Sequence, residues 1–208
     1  MKGYGTGGLG ADERAFKHVT LTHEFFPVTW IKNEPGEQLS SYALGLQKQI
    51  DTNKPFALLG VSFGGIVAQE LCKFIKAPKL ILILTIQDQW ELRQIYRLVG
   101  RLKLVKLIPS FIFKLPFWLA KMVFSTNSAL PGDILRDTDE SFVKWALDKT
   151  LTWQSSLIKM DAIRIYGTKD RLFPILPNKG GHRITNGGHF MIVDEAITIS
   201  KIINKELV

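Results

Sequence analysis

Three residues far apart in the chain have the types and settings for nucleophilic chemistry. Ser62 lies in Gly60-Val61-Ser62-Phe63-Gly64, followed by Gly65. A serine hydroxyl is a poor nucleophile until a base takes its proton, and the base that suits it is a histidine held by a carboxylate. The chain has four histidines, His18, His23, His182 and His189. Where a G-x-S-x-G segment turns from a strand into a helix, the acid and then the base follow the serine, each on a loop after a late strand. His18 and His23 precede Ser62 and fail that order. His182 opens a strand-like run and reads as a structural or surface side chain. His189 lies in Asn186-Gly187-Gly188-His189-Phe190, where two glycines are expected to give the backbone freedom to turn the ring. Asp170 lies in Gly167–Pro174, nineteen positions before His189. Asp88 is the rival acid, and chain order favours Asp170.

The elements needed to hold these residues are legible as apolar runs. Phe56–Val61 and Lys79–Ile86 are unbroken, the mark of strands buried on both faces of a parallel sheet. Glu24–Trp30, Asp161–Tyr166 and His182–Thr185 are further strands, and Met1–Thr6 is a short sixth. Pro27 marks Glu24–Trp30 as an edge. Helical spacing separates the runs at Glu37–Asp51, Gly64–Lys76 and Ile192–Leu207. Alternation of this kind predicts an α/β fold with a mostly parallel sheet of about six strands and helices on both faces. Ser62 then sits on the turn between Phe56–Val61 and Gly64–Lys76, flanked by glycines because backbones meet there. The alternation stops over 87–155, where Glu140–Thr150 is helical. That stretch is expected to be a helical insertion over a core made of 1–86 and 156–208.

Taken together, Gly60–Gly65, the Gly167–Pro174 loop and Gly187-Gly188-His189-Phe190 resemble the α/β-hydrolase family, over nearly the whole chain. The resemblance implies Ser62 as nucleophile, Asp170 as acid and His189 as base. It implies an oxyanion hole from the backbone N–H of Phe63 and a second donor in Gly7-Gly8-Leu9-Gly10, taken as the N–H of Leu9. It also makes 87–155 a cap. Two departures stand out. Many relatives have His-Gly where this chain has Gly7-Gly8. The family usually has two more strands before the oxyanion loop, which here begins within ten residues of Met1. The expectation is therefore a minimal sheet whose edge is formed by Met1–Thr6 and Glu24–Trp30, weaker than the rest or covered by a partner.

The implied activity is a serine hydrolase, carboxylesterase- or thioesterase-like, acting on an ester or related acyl bond of a small substrate with an apolar chain. C–C bond hydrolysis, acyl transfer and non-catalytic binding of a small molecule by the same pocket are the alternatives. No cofactor is expected. Gly3–Gly8 and Gly5–Gly10 both fit G-x-G-x-x-G, but a dinucleotide site needs a strand before its glycines. The histidines are scattered and Cys72 is the single cysteine, so no metal site is expected.

The chain has 208 residues and a net charge of +8. Its 46% apolar and 22% charged content excludes a disordered or fibrous chain. One cysteine allows no internal disulfide, which fits a reducing compartment. With no signal-peptide pattern at the start, a cytoplasmic location is expected. The positive charge is local, with seven Lys and Arg against one acid between Trp90 and Ser125. Phe111, Phe113, Phe117, Trp118 and Phe124 interleave with Lys103, Lys106, Lys114 and Lys121. That mixture is unlike a nucleic-acid surface. Lysines and prolines interrupt it too often for a membrane span. It is expected to be amphipathic helices packed on the sheet, or a mobile lid with a weak contact to anionic membranes.

Overall fold

The computed structural model describes residues 1–9, 13–113, 139–155, 161–175 and 180–208. Its elements in chain order begin with β1 (Lys2–Thr6), β2 (Phe25–Val28) and α1 (Leu39–Leu46). There follow β3 (Phe56–Val61), α2 (Phe63–Leu71) and β4 (Lys79–Ile83). The helices α3 (Gln94–Arg101), α4 (Leu104–Leu107) and α5 (Glu140–Thr152) come next. The chain closes with β5 (Ile163–Gly167), β6 (His182–Ile184), α6 (Met191–Asp194) and α7 (Ala196–Glu206).

The strands form one six-stranded sheet in the order β2-β1-β3-β4-β5-β6, every pair parallel. Side chains alternate across it, as a period of two requires. Leu58, Leu80 and Leu82 face one core with Tyr42, Leu46, Phe63 and Ile66 from α1 and α2. Ala57, Leu59, Val61, Ile81 and Ile83 face a second core with Met191, Ile199 and Ile203 from α6 and α7. Helices thus cover both faces, which is why β3, and β4 after Lys79, carry no charged or polar side chain. β2, with Pro27 in it, is one edge and β6 the other.

Several bounds differ from the sequence reading. Lys79–Ile86 leaves the sheet after Ile83 because Leu84 takes a left-handed φ of 51°. The helix expected over Ile192–Leu207 is two, α6 and α7, parted at Glu195 (φ −119°, ψ 28°). The helix expected at Gly64–Lys76 ends at Leu71 and continues as a turn in which Phe74 N–H donates to the Leu71 carbonyl.

Among the described residues of 87–155 there are helices and no strand. Asp139 starts α5 by accepting from the N–H groups of Ser141 (2.7 Å) and Phe142 (3.4 Å), as an N-cap side chain does. Phe142, Trp145 and Ala146 of α5 pack into the core shared by α1 and α2. α3 crosses α5 at Gly100, where a Cβ would come 2.2 Å from the Leu151 carbonyl oxygen. Gly10 and the stretch 114–138, with Lys114, Phe117, Trp118, Lys121 and Phe124, lie outside the described residues. Among the described residues no helix is long and apolar enough to cross a membrane.

Candidate active site

Ser62 follows β3 directly and precedes α2, with φ 53° and ψ −122°. That conformation is costly for a non-glycine residue, and the surroundings hold it. The Ser62 N–H donates to the Ile83 carbonyl (2.9 Å), and its carbonyl accepts from Gly65 N–H (2.9 Å). The glycines are there for contact. A Cβ on Gly60 would lie 2.4 Å from the Gly65 Cα, and one on Gly64 would lie 2.1 Å from the Gly7 carbonyl oxygen. The turn is thus pressed against the end of β1. Thr6, buried, donates from Oγ1 to the Gly64 carbonyl (2.8 Å) and lies 3.2 Å from that of Leu59.

Asp170 and His189 arrive on the loops after β5 and β6. These loops are stitched together by the N–H of Thr168 to the Ile184 carbonyl (3.0 Å) and that of Lys169 to the Gly187 carbonyl (2.9 Å). Thr168 Oγ1 accepts from Asn186 N–H at 2.8 Å. The expected role of the glycines before His189 needs correcting. The positive φ in this loop belongs to Asn186 (63°), not to Gly187 or Gly188. Gly167, at the end of β5, is small so that the loop after β6 can touch it, since a Cβ there would lie 2.3 Å from the Gly187 carbonyl oxygen, while a Cβ on Gly187 would lie 2.6 Å from the Met191 sulfur.

The structure brings the three side chains into one line. Ser62 Oγ lies 2.8 Å from His189 Nε2, and His189 Nδ1 lies 2.8 Å from Asp170 Oδ2. Both His189 and Asp170 are buried. The other carboxylate oxygen, Oδ1, accepts from the N–H groups of Leu172 (2.8 Å) and Phe173 (3.0 Å). Burial pushes the Asp170 carboxyl up, but the His189 charge and hydrogen bond, with those two N–H groups, outweigh it and hold the carboxyl below its ordinary range. Asp170 is therefore an anion facing the imidazole, and a base at Ser62 can be oriented and charge-stabilised from behind.

The rival and discarded residues lie elsewhere. Asp88 caps the turn after β4 by accepting from Trp90 N–H (2.9 Å). His182 Nε2 pairs with Glu206 Oε1 of α7 at 3.0 Å. His23 Nδ1 sits 3.1 Å from its neighbour Thr22 Oγ1. Gly3 and Gly5 lie within β1 itself, and a Cβ on Gly5 would strike the Phe25 ring at 2.3 Å. Their smallness makes room for that ring.

Phe63 opens α2, so its N–H is among the helix-start donors without an intrahelical partner. Leu9 stands beyond the C-terminal end of β1, on the same rim as Ser62, with its side chain against the core that holds Phe63. Aromatic rings pack close to Ser62 and His189, with Phe63 and Phe142 buried in the core. Phe173 meets the His189 ring edge-on at 5.3 Å between centroids, and Trp30 lies 5.7 Å from Phe63 and 5.9 Å from Phe142. Sequence reasoning missed Thr6 and Thr168, which no local pattern distinguishes. It also missed the buried bidentate pair of Arg164 with Glu91 (2.7 and 2.5 Å). An arginine inside a buried strand was the available signal there.

No family model matches the sequence, and no curated protein is similar to it. Solved structures are. A lipase-esterase related protein from Clostridium acetobutylicum ATCC 824 is 13% identical, with a TM-score of 0.73 over 98% of this chain and 93% of its own. MenH from S. aureus is 18% identical, with a TM-score of 0.69 over 98% of this chain and 91% of its own. An esterase from Thermogutta terrifontis is 16% identical, with a TM-score of 0.69 over 100% of this chain and 89% of its own. At such identities the likeness speaks for architecture. With a six-stranded parallel sheet, helices on both faces and a strained serine at the end of β3, this chain has the α/β-hydrolase fold.

Proposed function

We propose that the protein is a serine hydrolase that cleaves an ester or related acyl bond of a small substrate with an apolar chain. The observation that carries this reading is the unbroken hydrogen-bonded line from Ser62 Oγ through His189 to Asp170. Ser62 Oγ attacks the acyl carbon while its proton passes to His189 Nε2. Asp170 holds the imidazole through Nδ1–H and stabilises the imidazolium. The carbonyl oxygen becomes an oxyanion held by the N–H groups of Phe63 and Leu9, where each donor contributes about 2.7–4 kcal/mol to the transition state. Collapse expels the leaving group, which takes the proton from His189. A water that gives its proton to His189 then attacks the acyl-enzyme, and the acid leaves as Ser62 recovers its hydrogen.

The partly buried rings of Phe173, against His189, and of Trp30, against the buried Phe63 and Phe142, support an apolar acyl chain. The esterases among the similar structures agree with hydrolysis. The test is turnover of p-nitrophenyl esters together with labelling by a fluorophosphonate. Wild type is labelled at Ser62 and hydrolyses the acetate ester. Ser62→Ala and His189→Ala keep the fold and lose both. Robust turnover by purified Ser62→Ala ends the assignment, and a flat response to acyl-chain length ends the apolar-chain part of it.

A further inference from the structure

The face formed by the turn after β4 with α3 and α4 has a composition that packing does not explain. Trp90 is 66% exposed and Leu107 78% exposed. Ile95, Leu98 and Leu102, at i, i+3 and i+7, are each exposed by half or more. An apolar row normally faces the core. Here α3 packs through Gly100 against α5, and the row points to solvent. About a third of a turn round the helix from it lie Arg93, Arg97 and Arg101 at i, i+4 and i+8, followed in the chain by Lys103 and Lys106. The Arg97 guanidinium sits 4.8 Å over the exposed Trp90 ring. Between Gln89 and Phe113 the one acidic residue is Glu91, which is buried and paired with Arg164. Asp88, just before, is occupied as the cap of the turn.

We propose that this face docks on an anionic lipid surface. Trp90, Ile95, Leu98, Leu102 and Leu107 enter the headgroup–acyl boundary, and the three arginines and two lysines engage lipid phosphates and carboxylates. Membranes match both halves at once, because interfacial helices bind through buried apolar area plus attraction to anionic headgroups. A second copy of this face is a poor match, since it would set five cations against five. The proposal is independent of the reaction assigned to Ser62.

Co-sedimentation of the full chain with vesicles tests it. One vesicle is phosphatidylcholine with phosphatidylserine, the other phosphatidylcholine alone. Wild type and Ser62→Ala partition alike onto the anionic vesicles, and high salt weakens the binding. Replacing Arg93, Arg97 and Arg101 by Gln lowers that partition on the order of a hundredfold, each arginine contributing roughly a factor of five near an anionic leaflet. Leu98→Gln with Leu107→Gln lowers it as well, while circular dichroism and Tm stay at wild type because both side chains are already in water. The proposal is overturned if wild type binds neither vesicle, or if it binds both equally with no response to the arginine variant. A dimer in light scattering that the same substitutions dissolve overturns it too, by showing that the face meets another copy.

Discussion

Asp170 links chemistry to stability in one side chain. Its carboxyl is held below the ordinary value of 3.8 by His189 and the Leu172 and Phe173 N–H groups, against the upward push of burial. A depressed carboxylate contributes stability above its unfolded pKa and loses it as pH falls through the lower folded value. The stability gap between wild type and Asp170→Asn is therefore full at neutral pH and closes as pH falls through and below the ordinary value of 3.8, as urea unfolding at neutral and acid pH will read. In the proposed mechanism the same substitution lowers kcat about 10⁴-fold at neutral pH, the size seen when a triad acid becomes an amide in serine proteases. The amide keeps the Oδ1 contacts but presents the wrong partner to Nδ1. An Asp170→Asn variant with near wild-type kcat would remove Asp170 from the site.

At the scale of elements, the serine turn is set by how closely α2 is pressed on β1. Gly64→Ala places a Cβ 2.1 Å from the Gly7 carbonyl oxygen and 2.3 Å from that of Thr6. Neither is a side chain that can swing aside, so the start of α2 must move. The expected cost is about 3 kcal/mol, or a fall of roughly 6–12 °C in Tm for a chain of this length, by scanning calorimetry. Thr6→Val keeps the shape of the side chain and removes the donor to the Gly64 carbonyl. It is expected to cost about 1–2 kcal/mol, with hydrolysis falling as the turn loosens. A Thr6→Val protein as stable and active as wild type would show that strand pairing alone supports the turn.

At the scale of the molecule, Arg164 and Glu91 tie β5 to the segment after β4 from inside the protein. Arg164 also donates to the Thr85 carbonyl at 3.1 Å. Desolvation offsets most of the attraction in such a pair, so it contributes little net stability, yet either partner alone is costly to leave buried. Arg164→Met is expected to lose about 3–5 kcal/mol in denaturant unfolding. Adding Glu91→Leu is expected to restore most of that loss, and a double-mutant cycle will read the coupling. The sheet is uneven as well. β2 pairs with β1 alone and carries Pro27, whereas β3 and β4 lie between neighbours and are wholly or nearly wholly buried. Native-state hydrogen exchange should find β2 amides opening well before those of β3 and β4.

The amino-acid order alone determined much of the fold. Unbroken apolar runs at Phe56–Val61 and Lys79–Ile86 are the mark of strands covered on both faces, and the runs between them have helical spacing, so a parallel layered architecture was readable from local pattern. Ser62, Asp170 and His189 could be singled out because their positions along the chain follow the order of the strands. Tertiary structure decided what depends on atoms distant in sequence. The 2.8 Å contacts of His189 join loops that follow three different strands. Gly167 is needed because the loop after β6 crosses it, and Thr6 supports a turn more than fifty residues away. Whether the apolar row of α3 faced a core or water was equally closed to periodicity, which reports that a helix has two faces but not what lies against each.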